Sequence, residues 1–331
     1  MNLKIMNNMS KKINILITGV GSTTAISVIK GLKKQTEYKI KIIGTDIFKE
    51  NNIAGSKFCD KFFVVPPATD ESRYIAELSK IVDNEFIDIL IPIVDIELEV
   101  IAKYKKRFQD TFVLLSSYDT IITCNDKIKT YKFFNKFKIP TLKTYDFKDL
   151  TSLNQKISDS KIKYPFIAKP RKGVSSREVY EIRSEEENIL IQRINKPIIQ
   201  EKGIGSEYTI DIFGDGKQII CAVPRKRIET RAGISYKGET VRNDKLIEYA
   251  HEIYKKLNFI GPANVQCFLT DQNIKFFDIN PRFSGSLPLT IEAGINTTLL
   301  AIQLALNIQL KPITNFKEIR MNRYWEEIFY D

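Results

Sequence analysis

Two β-hairpins in the second half of the 331-residue sequence carry the side chains best suited to chemistry. In NVQCFL, Asn264, Gln266 and Phe268 share one face of an extended strand, and in FFDIN so do Phe276, Asp278 and Asn280, because strand side chains alternate with period two. Asp278 and Asn280 then lie ~6.6 Å apart along their strand, close enough, with Gln266 across the hairpin, to offer oxygen ligands to one hard cation or a pair. Magnesium, which combines protein oxygens with substrate phosphates, is the ion this set suits, and manganese is the alternative. Polar residues that merely face water are the competing reading. Pro281 and Arg282, directly after Asn280, weigh against it, since a guanidinium beside a metal suits a phosphate.

Other segments add anion-binding groups. FIAKPRKGVSSREV reads as a strand delivering Lys169 to a short loop with Gly173, Ser175 and Ser176, whose amides and hydroxyls could wrap phosphates; a plain surface turn is the alternative. In EYTIDIF the alternation puts Glu207, Thr209 and Asp211 on a polar face that would meet a nucleotide, opposite Tyr208, Ile210 and Ile212. In PRKRIETRAG (224 to 233), Arg225, Arg227 and Arg231 fall on one face if the chain is extended, with a solvated basic strand as the alternative. Arg231, followed by Ala232 and Gly233 where the chain can bend, is the expected contact to a substrate carboxylate or transition state, because a planar fork binds such anions at two points.

These residues need elements to hold them. INILIT (13 to 18), GVGSTT and then ISVIKGL at helical spacing predict strand, tight turn and helix; KIKIIGTD, FFVVPP, DILIPIVD and TFVLLSS continue the alternation. Short buried strands separated by helices indicate a parallel sheet with right-handed crossovers, a Rossmann-like domain over 13 to 120. Gly19 and Gly21 match a dinucleotide fingerprint, but Thr24 replaces its third glycine, so a tight turn is the expected use and NAD is disfavoured. Asp46, at a strand end, could hold a ribose hydroxyl or a substrate amine, or cap the next segment. NDKIKTYKFFNKFKIP predicts one helix ending before Pro140, YPFIAKP a strand, and from 198 onward locally paired strands predict an antiparallel sheet with hairpins through GDGK and TDQN. The expected fold is α/β and α+β, in units 1–124, 125–200 and 201–331.

Composition narrows the chemistry. At 43% hydrophobic and 27% charged the chain is globular, and its 51 Lys and Arg against 40 Asp and Glu give +11, a field that attracts polyphosphates or nucleic acid. The lysines are scattered and no RNA-binding motif occurs, so no nucleic acid is expected. Four cysteines without C-x-x-C and a single histidine, His251 in a helix-like stretch, exclude zinc clusters; G-x-S-x-G, H-E-x-x-H and G-x-x-x-x-G-K-[ST] are absent. The longest uncharged stretch, Ala293 to Leu310, includes Gly294, Asn296, Gln303, Asn307 and Gln309 and matches a membrane span poorly. With no apolar leader at the start, a cytoplasmic location and no membrane partner are expected. The closing RYWEEIFYD matches no motif.

The order NDK (125 to 127), IAKP (167 to 170), IIQEKGIGSEYTIDI (198 to 212), NVQ (264 to 266) and FFDINPRFSG (276 to 285) resembles the ATP-grasp superfamily, in particular single-module proteins similar to the carbamoyl-phosphate synthetase large chain. The resemblance implies Lys127 and Lys169 on the ATP phosphates and Gln200, Glu201 and Gly203 around the adenine at a hinge. It implies Glu207 in the ribose region, Gln266, Asp278 and Asn280 on magnesium, and Arg282 on the transferring phosphate. Residues 1–124 would be the pre-ATP-grasp domain, 125–200 the small subdomain and 201–331 the C-terminal subdomain with the metal site. The implied reaction activates a small-molecule carboxylate with ATP as an acyl phosphate, which an amine converts to an amide, ADP and phosphate; a homodimer is the assembly to test. Such chemistry needs alignment and charge neutralisation more than a dedicated base, which suits a chain with one histidine. Bicarbonate-dependent carbamoyl-phosphate-type chemistry and a nucleotide-binding regulator without catalysis are the alternatives. Two positions depart from the family: Asp278 stands where relatives usually have Glu, and Gly173 alone stands where they often have several glycines.

Overall fold

The computed structural model describes residues 12–173, 178–231 and 233–331, so the predicted phosphate-loop residues Ser175 and Ser176 lie outside the described residues. Strands β1 (Ile13–Ile17), β2 (Ile40–Asp46), β3 (Lys61–Val64), β4 (Ile89–Ile91) and β5 (Phe112–Val113) form a parallel sheet in the order β3-β2-β1-β4-β5. Helices α1 (Thr23–Lys34), α2 (Glu71–Asn84) and α3 (Asp95–Lys103) alternate with them. Period-two alternation sends Ile15 and Ile17 of β1 into one core with Val28, Ile29 and Leu32 of α1, and Leu16 into another with Tyr74, Leu78 and Ile81 of α2. Both faces are buried, which is why these strands read as unbroken apolar runs. The strand order reverses between β1 and β4, so a crevice opens at their carboxyl ends, where Gly19 turns with φ +60° against Val94.

The helix expected in NDKIKTYKFFNKFKIP is α5 (Lys127–Lys136), and a further helix not expected from the sequence, α4 (Tyr118–Asn125), precedes it. Asp126 adopts extended dihedrals between them, and its carboxylate accepts from the amides of Ile128 and Lys129 at 3.0 and 3.2 Å, so a new helix starts at Lys127. Phe133 and Phe134 of α5 join the core of the large C-terminal sheet, with Phe134 5.9 Å from the Phe276 ring. That helix therefore contributes to the core of the large sheet while also touching β6 (Thr144–Asp146) in the small sheet of the 125–200 unit.

That small sheet is antiparallel, in the order β6-β9-β7-β8, from β6 (Thr144–Asp146), β7 (Phe166–Pro170), β8 (Tyr180–Ile182) and β9 (Pro197–Glu201). Helix α6 (Leu150–Ser158) buries Leu153 in its core. The large antiparallel sheet runs β14-β13-β10-β11-β12-β15, from β10 (Ser206–Asp215), β11 (Ile219–Arg231), β12 (Ile234–Thr240), β13 (Ile260–Leu269), β14 (Ile274–Asn280) and β15 (Arg320–Asn322). Helix α7 (Asp244–Leu257) covers one face with Leu246, Ala250, Ile253 and Leu257, and leaves His251 exposed. Helices α8 (Leu287–Glu292) and α9 (Thr297–Ala305) return to α1, where a Cβ on Gly31 would come within 2.6 Å of Ile291. That close approach joins the parallel sheet and the large sheet through one continuous core containing Ile15, Phe213, Phe283 and Leu287. The closing segment crosses the same junction, with the Tyr330 hydroxyl donating to the Ile53 carbonyl at 2.5 Å. No helix among the described residues is long and apolar enough to cross a membrane.

Candidate functional site

A cleft of about 610 Å³ lies between the two antiparallel sheets and reaches the carboxyl edge of the parallel sheet. Of the predicted site residues it brings together Lys127, Lys169, Gly173, Gln200, Glu201, Gly203, Glu207, Gln266, Asp278, Asn280 and Arg282. The residues come from α5, β7, β9, β10, β13 and β14, so the site exists only once both sheets have closed on each other.

At one end, β7 delivers Lys169 into the interior, where its Nζ donates to Gln200 Oε1 at 2.8 Å and lies 5.4 Å from the Phe277 ring centre. Gln200 is oriented in turn by donating to Thr144 Oγ1 at 2.8 Å. Burial pushes the Lys169 pKa down to about 8; the nearby Lys127 adds to the shift, while Asp278 and Glu207 oppose it. Lys127 is the first residue of α5, and its amide donates to the Arg171 carbonyl at 3.2 Å. Asp126, the cap before it, is bonded by Arg171 Nε at 2.9 Å; burial would raise the Asp126 pKa, but Arg171 and the helix amides hold it below the usual range. Two ammonium groups thus converge from a helix start and a strand end, an arrangement that calls for a polyanion between them.

Beside them the cleft wall becomes apolar. Gly203 lies on Phe268 so closely that a Cβ would fall 2.1 Å from the ring, and Phe268 stacks on Phe277 at 5.0 Å and 28°. Leu142 and Ile167 complete the apolar walls. Glu201 is held at the rim by Lys275 at 2.6 Å, and its amide donates to the Lys143 carbonyl at 2.8 Å.

Across the cleft, β13 and β14 pair Gln266 with Asp278 and Asn264 with Asn280. The alternation predicted for β13 holds, since Asn264, Gln266 and Phe268 all line the cleft. On β14 it fails: the register slips between Gln266 and Cys267, leaving Phe277 as the extra residue. Phe276, expected beside Asp278, is buried in the core, and Phe277 faces the cleft instead. Asn280 Nδ2 donates to Asp278 Oδ2 at 3.0 Å. Gln266, with its amide oriented to satisfy both neighbours, donates to Asp278 Oδ2 at 3.3 Å and accepts from Arg227 Nη1 at 3.1 Å. Both amides thus turn their nitrogens to Asp278 and their oxygens to Arg227 and Arg282. The residue types fit magnesium, but Gln266 and Asn280 would have to turn their amides to join the Asp278 carboxylate as oxygen ligands, with substrate phosphates completing the shell. Among the described residues no group of three or more His, Cys, Asp and Glu gathers for a metal.

Arg282 is gripped by Asp95, the first residue of α3, with Nε to Oδ1 at 2.6 Å and Nη2 to Oδ2 at 3.4 Å, and its Nη2 reaches Asn280 Oδ1 at 3.4 Å. Burial alone would lower its pKa, but Asp95 raises it, so the guanidinium remains charged. The basic strand behaves differently from its expected single face. β11 and β12 slip register between Arg227 and Glu229 and again between Glu229 and Thr230. Arg225 and Arg227 turn inward, but Arg231 is 51% exposed, paired with Glu229 and stacked 3.5 Å from the Tyr236 ring centre. Arg231 is therefore not brought into the cleft. Asp211, expected to meet a nucleotide, is instead buried against Arg225 and accepts from Thr290 Oγ1 at 2.6 Å, whereas Glu207 does line the cleft and pairs with Arg227. Burial raises the Glu207 pKa against the opposing pull of Arg227 and Lys169.

Comparison with known proteins agrees with this geometry. A family described as ATP-grasp in the biosynthetic pathway with Ter operon matches residues 194–326, and the PylC-like N-terminal domain matches residues 15–115. The chain is an ATP-grasp protein. Its ATP-grasp fold overlays N5-carboxyaminoimidazole synthetase from Staphylococcus aureus, solved with ADP, at a TM-score of 0.74 and 18% identity, covering 93% of this chain and 80% of that one. L-amino acid ligase from Bacillus licheniformis gives 0.69 and 15%, covering 91% and 77%. In sequence, the ATP-grasp protein is 27% identical over 215 residues to the arginine-specific carbamoyl phosphate synthase large chain of Geobacillus stearothermophilus, covering 61% of this chain and 20% of that one. It thus spans about a fifth of the length of the curated relatives it matches.

Several residues that shape the cleft or its surroundings had no single role assigned from the sequence. Asp95 gives no signal beyond being a carboxylate after a strand, in DILIPIVD. Arg227 stood in the basic run, but its partner Glu207 is twenty positions away. Arg323, in the segment that matched no motif, donates to the carbonyls of Ser235 and Gly285 at the cleft wall. Asp46 is engaged by the amides of Gly21 at 2.8 Å and Phe48 at 3.1 Å, so its carboxylate shapes the turn after β1.

Proposed function

We propose that the protein is an ATP-dependent carboxylate–amine ligase working through an acyl phosphate. The convergence of Lys127, Lys169, Asp278 and Arg282 on one cleft, beside the apolar wall of Leu142, Ile167, Phe268 and Phe277, carries this reading. The adenine lies at the hinge end of the cleft, against that apolar wall, and Lys169 and Lys127 hold the phosphates. Glu207 contacts the ribose. Magnesium, held by Asp278, Asn280 and Gln266 together with phosphate oxygens, would neutralise charge at the transferring group. Arg282, whose Nε and Nη2 are held by Asp95, then places its positive charge and its remaining Nη1 hydrogen beside the γ-phosphate and the incoming carboxylate. The carboxylate binds at the far end of the cleft, near Thr23 and Thr24 at the amino end of α1, where unpaired amides favour an anion.

A carboxylate oxygen attacks the γ-phosphorus as the bond to ADP breaks, and the amine nitrogen then displaces phosphate from the acyl carbon. Each step is driven by position and charge rather than by a base. Release of ADP, measured with pools of carboxylates and amines, tests the reading. A requirement for bicarbonate, the chemistry favoured by the likeness to carbamoyl phosphate synthase, would identify that alternative. Tight ATP binding without ADP release under any pool would identify a regulator.

A further inference from the structure

A second cavity, of about 510 Å³, meets the ATP cleft at Asp95, Lys127, Asp278 and Asn280, the residues that surround the reacting phosphate in the ligase reading. Its other walls come from α3, α4, the loop before α2 with Glu71 at that helix's start, and Lys172 with the shared Gly173 after β7, and include nothing from the hinge end of the cleft. We infer that this chamber is the binding site for the amine substrate, a primary amine with an apolar body. The inference rests on the ligase reading of the cleft.

Three observations support it. First, a nucleotide and a carboxylate end to end occupy the cleft from hinge to α1, so a nucleophile must come to the acyl carbon by another path, and the chamber ends at that point. Second, the chamber wall carries Ile96 and Tyr118, which are 45% and 44% exposed although they line a concave surface together with Val94 and Val100. Large apolar side chains exposed inside a cavity are covered when a ligand with an apolar body sits there. Third, the two cavities differ in charge. In the cleft the basic side chains of Lys127, Lys169, Lys202, Arg227 and Arg282 outnumber the carboxylates of Asp95, Glu201, Glu207 and Asp278. In the chamber, by contrast, the carboxylates of Glu71, Asp95, Glu99 and Asp278 outnumber Lys103, Lys127 and Lys172. Glu71 and Glu99 are engaged at 2.6 and 2.8 Å by Lys103 and Lys172, and Asp278 holds magnesium in the ligase reading, leaving Asp95 at the inner end, beside Lys127, to attract an ammonium group. Asp95 spends one bond per oxygen on Arg282 and retains acceptor capacity. In the transfer, the amine nitrogen forms the C–N bond as the C–O bond to phosphate breaks. Of the two protons that an ammonium loses, one goes to solvent and one to the departing phosphate.

The test uses the full chain saturated with magnesium and a non-hydrolysable ATP analogue, titrated calorimetrically with isoamylamine and phenethylamine, with 2-phenylethanol as the uncharged control. At least one amine should bind, more tightly than the alcohol. Ile96→Trp and Tyr118→Ala should each weaken that amine at least tenfold while leaving the affinity for the ATP analogue within about twofold. The inference is overturned if neither amine binds the nucleotide-loaded protein, if the alcohol binds equally well, or if both substitutions leave amine affinity unchanged. Failure of the ATP analogue itself to bind would instead defeat the ligase reading. Amine binding to the free protein, and its sensitivity to Ile96→Trp, would then still decide what the chamber holds.

Discussion

Lys169 should make ATP affinity depend on pH in a way that ordinary phosphate-binding lysines do not. Burial and the nearby Lys127 depress its pKa to about 8 in the free protein. A triphosphate placed against the ammonium favours the charged form and raises that pKa on binding. Above pH 8 the free protein must therefore take up a proton to bind ATP. With the bound pKa well above 9, the free fraction still protonated falls about tenfold between pH 7 and pH 9, so ATP should bind about tenfold more weakly at the higher pH, a difference of about 1.4 kcal/mol. At pH 8 about half a proton should be taken up, which calorimetry in two buffers of different ionisation enthalpy measures directly. Lys169→Met should weaken binding throughout and remove both the slope and the uptake. Equal affinity of the unmodified protein at pH 7 and 9, with no proton uptake at pH 8, would refute the argument.

Other expectations follow from the same geometry. Glu97 is buried, accepts from Thr18 Oγ1 at 2.6 Å, and is pushed by burial up to about 7. Its folded pKa exceeds its unfolded one, so the stability this group contributes is full below about pH 4.5 and is lost as pH rises through 7. Glu97→Gln should therefore stabilise the protein by about 3 kcal/mol at pH 8, shrinking to a few tenths near pH 4.5, in denaturant titrations. Arg225 is 1% exposed and paired with Asp211, so Arg225→Leu should cost about 3 to 5 kcal/mol by stranding a buried carboxylate, and adding Asp211→Asn should recover part of that loss. Arg282→Ala should lower carboxylate-dependent ADP formation on the order of a hundredfold, whereas Arg231→Ala should leave it within about threefold, because Arg231 points to solvent.

Much of this was legible in the sequence because it depends on local periodicity. The unbroken apolar runs from Ile13 to Val113 encode strands buried on both faces, and the turns at GDGK and TDQN encode the two hairpins that carry Glu207, Gln266, Asp278 and Asn280. Local pattern fails where pairing departs from it. The extra residue at Phe277 moved Phe276 into the core, and the slips after Arg227 separated Arg231 from Arg225 and Arg227. Asp126 separates the expected helix from the unexpected α4 before it, because an aspartate that can cap forward offers the backbone an alternative to continuing the helix. Contacts across units were invisible for a different reason. Asp95 meets Arg282 across 187 positions, and Tyr330 reaches Ile53 across 277; neither pair has a spacing that any element's period would reveal.

The central claim is carboxylate activation in the cleft, and trapping the acyl phosphate tests it most directly. The protein is incubated with ATP, magnesium, pooled carboxylates and hydroxylamine, which captures an acyl phosphate as a hydroxamate without needing the natural amine. ADP and hydroxamate should appear together, should require a carboxylate, and should disappear in Arg282→Ala and in Asp278→Asn while both variants remain folded. ADP formation independent of every carboxylate, or bound ATP that yields neither product, would contradict the account.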